Sequence, residues 1–177
     1  MPLPRIKTSL LLVSLLLGTL ALAQTKAELV KNIGKEFRLI NKDTTLKQVK
    51  LEGEAFLTHA TDGGGELIGY YKKGQLKKIY QWIGLSNGNE IKEYYFKNGQ
   101  LIFVYVQFNS FVYNEKKDLL DRTKTKTTFQ GRYYFHNNRL IDHTTTGHNR
   151  LEPDTISPEK TLLAEASDNQ KLLNQKR

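Results

Sequence analysis

The sequence predicts an α+β domain, with an N-terminal amphipathic helix packed on an antiparallel β-meander of about six strands and a short C-terminal helix. Three observations carry this. An aromatic pair recurs three times just ahead of a two-residue turn, a capping box opens a stretch with one apolar stripe, and Ser157-Pro158-Glu159 marks a second helix start.

At the N-terminus, Arg5 and Lys7 precede an apolar run from Leu10 to Leu22 that ends in Ala21-Leu22-Ala23 before Gln24. A basic region, an apolar run and a small-residue site in that order lay out a cleavable secretory signal peptide over residues 1–23. Read as a membrane anchor, the run falls short of the ~20 apolar residues a spanning helix needs, and Ser14, Gly18 and Thr19 dilute it. No Cys follows it, which rules out a lipid-modified cysteine at the mature end. The mature chain, residues 24–177, is therefore expected to be periplasmic or secreted, with no membrane span of its own.

Taking 23 residues from 177 leaves 154, a length that suits one domain with its own core. The lack of Cys removes disulfides, thiol nucleophiles and thiolate metal sites, so packing must supply the stability. The formal charge falls from +9 to +7 when Arg5 and Lys7 leave with the signal. Such a balance suits an acidic glycan, an anionic membrane surface or an acidic protein, but no block of like charges exceeds two residues, which favours a plain solvated surface. Neither a nucleic-acid partner nor a cofactor is expected.

Thr25-Lys26-Ala27-Glu28 is a capping box, and Leu29, Ile33, Phe37 and Ile40 recur on one helical face, so residues 26–41 read as the amphipathic helix. After a turn at 41–44, the stretch from Leu46 to Leu57 alternates loosely, as a strand with a break at Gly53 would. The repeats then begin. Tyr70-Tyr71-Lys72-Lys73-Gly74-Gln75-Leu76, Tyr95-Phe96-Lys97-Asn98-Gly99-Gln100-Leu101 and Tyr134-Phe135-His136-Asn137-Asn138-Arg139-Leu140 each set two aromatics before a Lys-Gly, Asn-Gly or Asn-Asn turn. Those turn residues tolerate the positive φ of a type I′ hairpin. Asn87-Gly88 supplies another turn, and a polar insertion over 114–125 lengthens the second spacing, giving a meander over 66–145. A helix over 157–173 follows, its apolar stripe broken, with a frayed tail over 174–177.

The repeats resemble the Tyr-Tyr/Asn-Gly β-hairpin repeats of MORN-like and antitoxin-type repeat proteins over residues 66–142, without the glycine-rich consensus of true MORN repeats. The whole layout resembles small exported bacterial proteins of uncharacterised function. That likeness implies architecture and no activity.

Two-residue turns fix register, so Tyr71 is expected opposite Leu76, Phe96 opposite Leu101, Tyr70 opposite Lys77 and Tyr95 opposite Ile102. One sheet face then carries Tyr71, Tyr80, Trp82, Tyr94 and Tyr105, and the other carries Ile79, Val104 and Val106 with Tyr70, Tyr95 and Tyr134. One helix covers only one of two apolar faces. The Leu46–Leu57 segment, the C-terminal helix, a second subunit or a ligand must cover the other.

Chemistry is harder to find. Gly84-Leu85-Ser86-Asn87-Gly88 spells G-x-S-x-G with Asp142 and His143 downstream, but a nucleophile elbow needs strand, turn and helix, and here strand alternation follows. His136, His143 and His148 lie close in sequence without metal-ligand spacing, and Asp62-Gly63-Gly64-Gly65-Glu66 lacks the oxygen pattern of a calcium loop. The expectation is a non-enzymatic binding or structural module using Tyr71, Tyr80, Trp82, Tyr94 and Tyr105, with a protein partner ahead of an anionic glycan. A secreted hydrolase or metal-binding protein, built on Ser86 or the three histidines, is the alternative.

Overall fold

The computed structural model describes residues 25–148 and 156–177, so the expected signal peptide, residues 1–23, lies outside the described residues. The capping box forms as its sequence dictates. The Glu28 amide donates to Thr25 Oγ1 at 3.3 Å, and the Thr25 amide donates to the Glu28 carboxylate at 3.2 Å, which starts helix α1 (Lys26–Lys42).

Among the described residues seven strands follow: β1 (Lys47–Glu52), β2 (Gly65–Lys72), β3 (Gln75–Leu85), β4 (Gly88–Lys97), β5 (Gln100–Asn114), β6 (Leu119–His136) and β7 (Arg139–Gly147). They form one antiparallel sheet in chain order, and helix α2 (Pro158–Lys176) closes the fold. The strand beyond the expected six is β1, the first half of the loosely alternating stretch. It pairs with β2 from Lys47 opposite Tyr71 to Glu52 opposite Glu66, and ends where Gly53 turns to φ +52°. The polar insertion is mostly strand too: β5 runs to Asn114 and β6 restarts at Leu119, a long hairpin whose tip exposes Tyr113 and Leu119.

The three repeats fold alike. Lys73 and Gly74, Asn98 and Gly99, and Asn137 and Asn138 all have positive φ at both central turn positions, as type I′ hairpins require. Gly88 has a different reason. Leu85 pairs with Gly88, so Ser86 and Asn87 are the loop residues, neither at positive φ, while a Cβ at Gly88 would lie 2.1 Å from the Asn109 carbonyl oxygen.

The expected register holds only for the two pairs nearest each turn. Tyr71 faces Leu76 and Phe96 faces Leu101, but Tyr70 faces Lys78 and Tyr95 faces Phe103, because a β-bulge inserts Lys77 and Ile102. The third hairpin repeats it, with Phe135 opposite Leu140 and Tyr134 opposite Asp142 around the extra Ile141. Each extra residue reverses every later side chain on the returning strand. In two of the repeats the first aromatic, Tyr95 or Tyr134, packs under α1, and in all three the second, Tyr71, Phe96 or Phe135, lies in the core under α2.

The bulges correct the expected single aromatic face. Tyr71 and Tyr94 lie on the α2 side, at 5% and 0% exposure, whereas Tyr80, Trp82 and Tyr105 share the α1 side. Helix α2 buries Leu162, Ala166, Asn169 and Leu173, spaced four, three and four residues apart, so the stripe that looked broken is continuous through a polar residue. Its end is anchored rather than frayed. Arg177 Nη1 donates to the Gly74 carbonyl at 2.8 Å and the guanidinium lies 4.8 Å over the Tyr71 ring.

Candidate binding face

Helix α1 covers only part of its face. Ile33, Phe37 and Ile40 pack on Tyr95, Phe103, Tyr134 and Ile141, the row nearest the type I′ turns, with Phe37 edge-on to Tyr95 at 4.9 Å and to Phe103 at 5.4 Å. Ion pairs fix its position: Lys97 with Glu36 at 3.0 Å, Lys72 with Asp43 at 2.5 Å and Lys26 with Asp142 at 2.8 Å. Lys72 and Thr45 hold the Asp43 carboxyl far below its ordinary value.

Beyond α1 the sheet is open in two rows. Tyr80, Glu93, Tyr105 and Arg132 stand side by side on β3, β4, β5 and β6, and Trp82, Ile91, Gln107 and Gln130 form the next row out; all are half-buried. The polar groups are pre-oriented. The Tyr105 hydroxyl donates to Gln107 Oε1 at 2.8 Å, Gln107 Nε2 to Asn109 Oδ1 at 2.8 Å and Asn109 Nδ2 to Asn89 Oδ1 at 2.9 Å. Glu93 accepts from Lys78 Nζ at 2.5 Å and from the Tyr95 hydroxyl at 2.7 Å, so its charge is matched within the sheet. Burial, then the Glu93 charge, pushes the Tyr95 phenol far up; burial with Glu66 and Glu93 also raises Tyr80. Both remain hydroxyl donors at neutral pH.

Two clefts flank the rows. One, of about 410 Å³, lies between the α1 edge, at Ile33, Gly34, Phe37 and Arg38, and the sheet at Glu93, Phe103, Tyr105, Arg132 and Tyr134. The other, of about 340 Å³, lies at the far end beside Trp82, Gly84, Asn89, Phe111 and Arg122. Trp82 lies against Gly84, where a Cβ would come within 2.9 Å of its Cη2.

Three of the five expected aromatics are thus together on one accessible face, and two, Tyr71 and Tyr94, are core. The Tyr94 hydroxyl donates to Glu165 at 2.7 Å beneath α2. Sequence reasoning missed Glu93, Gln107, Asn109 and Arg132. Their signal was the period of two along Tyr105-Val106-Gln107-Phe108-Asn109, legible only once the bulge is placed.

Ser86 is an exposed loop residue between two antiparallel strands, with no helix after it. His136 sits beside a turn against Asn137, His143 stacks on Tyr133 at 6.0 Å, and His148 follows the end of β7. Among the described residues, no three His, Cys, Asp or Glu side chains group as metal ligands, and no helix is long and apolar enough to cross a membrane. No protein-family model, curated protein or solved structure matches the chain.

Proposed function

We propose that the chain is an exported, non-enzymatic binding module, and that the open part of the α1 side of its sheet is the contact surface for a protein partner. The observation that carries this is the shortfall of α1, which leaves Tyr80, Trp82 and Tyr105 half-exposed in two ordered rows. Tyr and Trp are favoured interface anchors because they give large contact area for little lost side-chain freedom. The amide ladder beyond Tyr105 supplies donors and acceptors already held in place. The Trp82 row also favours a second reading, an anionic glycan stacked on Trp82 with its hydroxyls on the half-buried amides of Gln107 and Gln130.

Alanine at both Trp82 and Tyr105 is expected to abolish capture of a partner from the native envelope fraction while leaving the melting temperature within a few degrees. Retained capture refutes the site. The sole Trp in the sequence is Trp82, so its emission separates the two readings: a change on adding envelope polysaccharide at low salt, reversed at high salt, supports the glycan.

A further inference from the structure

The cleft under α1 has a chemistry of its own. Its walls are apolar, from Ile33, Phe37, Phe103 and Tyr134, and two guanidinium groups, Arg38 and Arg132, line it. Arg132 is half-buried and lies 5.4 Å over the Tyr105 ring, which orients its fork, and neither arginine has a carboxylate partner among the described residues. The carboxylate in the wall, Glu93, is held by Lys78 and the Tyr95 hydroxyl. Gly34 opens the space. It stands in the middle of α1, where glycine costs about 1 kcal/mol relative to alanine, and the nearest atom to a Cβ built there is Arg38 Nη1 at 3.7 Å.

From these observations we infer that the cleft is a binding site for a small amphipathic carboxylate, its apolar body on Phe37, Phe103 and Tyr134 and its carboxylate on Arg132 and Arg38. Arginine presents parallel donors that match a carboxylate in two-point geometry, and an apolar surround strengthens the pair. The volume of about 410 Å³ fits a small organic acid rather than a single ion. The site goes beyond the partner reading: Tyr105 borders both, but Trp82, Gln107 and Asn109 lie outside the cleft lining.

The test is an amide NMR titration of the folded chain with 4-phenylbutyrate, 4-phenylbutanol and 4-phenylbutylamine. The acid is expected to shift Gly34, Phe103 and Arg132, the alcohol to bind at least tenfold more weakly, and the amine to leave those amides unmoved. Arg132→Gln should weaken the acid about tenfold or more. Gly34→Leu should abolish its binding with the helix intact by circular dichroism and with partner capture through Trp82 retained. Equal shifts from acid and amine, no shift at these amides, or undiminished binding in Gly34→Leu each overturn the assignment.

Discussion

Leu173→Ala should cost about 2–5 kcal/mol of folding stability, the range for truncating a large apolar side chain in a core. Leu173 is fully buried, and its Cδ1 approaches so closely that a Cβ on Gly69 would come within 2.9 Å of it. The sheet therefore has a notch at Gly69 that this side chain fills, and alanine leaves a cavity the rigid β2 backbone cannot close. In a domain of this size each kcal/mol moves the melting temperature by about 2–4 °C, so thermal melts should fall by about 5–15 °C. A drop under ~2 °C would mean that α2 is a loosely held appendage.

The second large effect lies in the middle of α2. Lys92 is buried at 7% exposure on the sheet face under this helix, bonded to both Glu165 oxygens at 2.9 and 3.0 Å and to Glu90 at 3.1 Å. Lys92→Met strands two carboxylates beside the Tyr94 hydroxyl; both keep some contact with water, Glu165 at 33% side-chain exposure, so the loss should cost about 1–3 kcal/mol. Adding Glu90→Gln and Glu165→Gln to Lys92→Met should restore most of that, because no uncompensated charge remains. Urea melts of the single and triple variants check both parts.

The same network sets an alkaline limit. Burial pulls the Lys92 ammonium down, but the charges of Glu90 and Glu165 outweigh it and raise the pKa overall; burial, reinforced by Glu165, raises the Tyr94 phenol well above its ordinary value. Both groups bind their proton more tightly folded than unfolded. Their contribution is therefore complete below the unfolded values of about 10 and is lost as pH climbs through the raised folded ones. Urea melts should give constant stability between about pH 8 and 9.5 and a steady fall above about 10. Constant stability to pH 11 would contradict the network.

Most of the architecture was legible because it rests on local chemistry. The Thr25 capping box, the Asn98-Gly99 turn and the Ile33, Phe37 and Ile40 stripe each specify their element within a few residues. The faces were not. A bulge leaves no mark in the hydrophobic pattern when the extra residue is Lys77 in one repeat and Ile102 or Ile141 in the others, yet one such residue turns a whole strand over. Tyr71 and Tyr94 therefore share a face with Trp82 in the sequence pattern, although in the structure the sheet lies between them. Asn169 hid the α2 stripe for a related reason, since its burial is decided by the helix docking on β1, β2, β3 and β5, which no local window contains. Arg177 looked like a frayed end, and its anchor at Gly74 lies 103 residues away.

If the open sheet face is the contact surface, a partner must touch it directly. Ile91 stands directly opposite Trp82 on that face, whereas Lys160 is exposed on α2. Replacing each in turn with photoreactive benzoylphenylalanine and irradiating the protein in its native cells gives the most direct measurement. A discrete cross-linked adduct from position 91, absent from position 160 and lost on adding Trp82→Ala and Tyr105→Ala, is the predicted result. No adduct from position 91, or the same adduct from both positions, contradicts it.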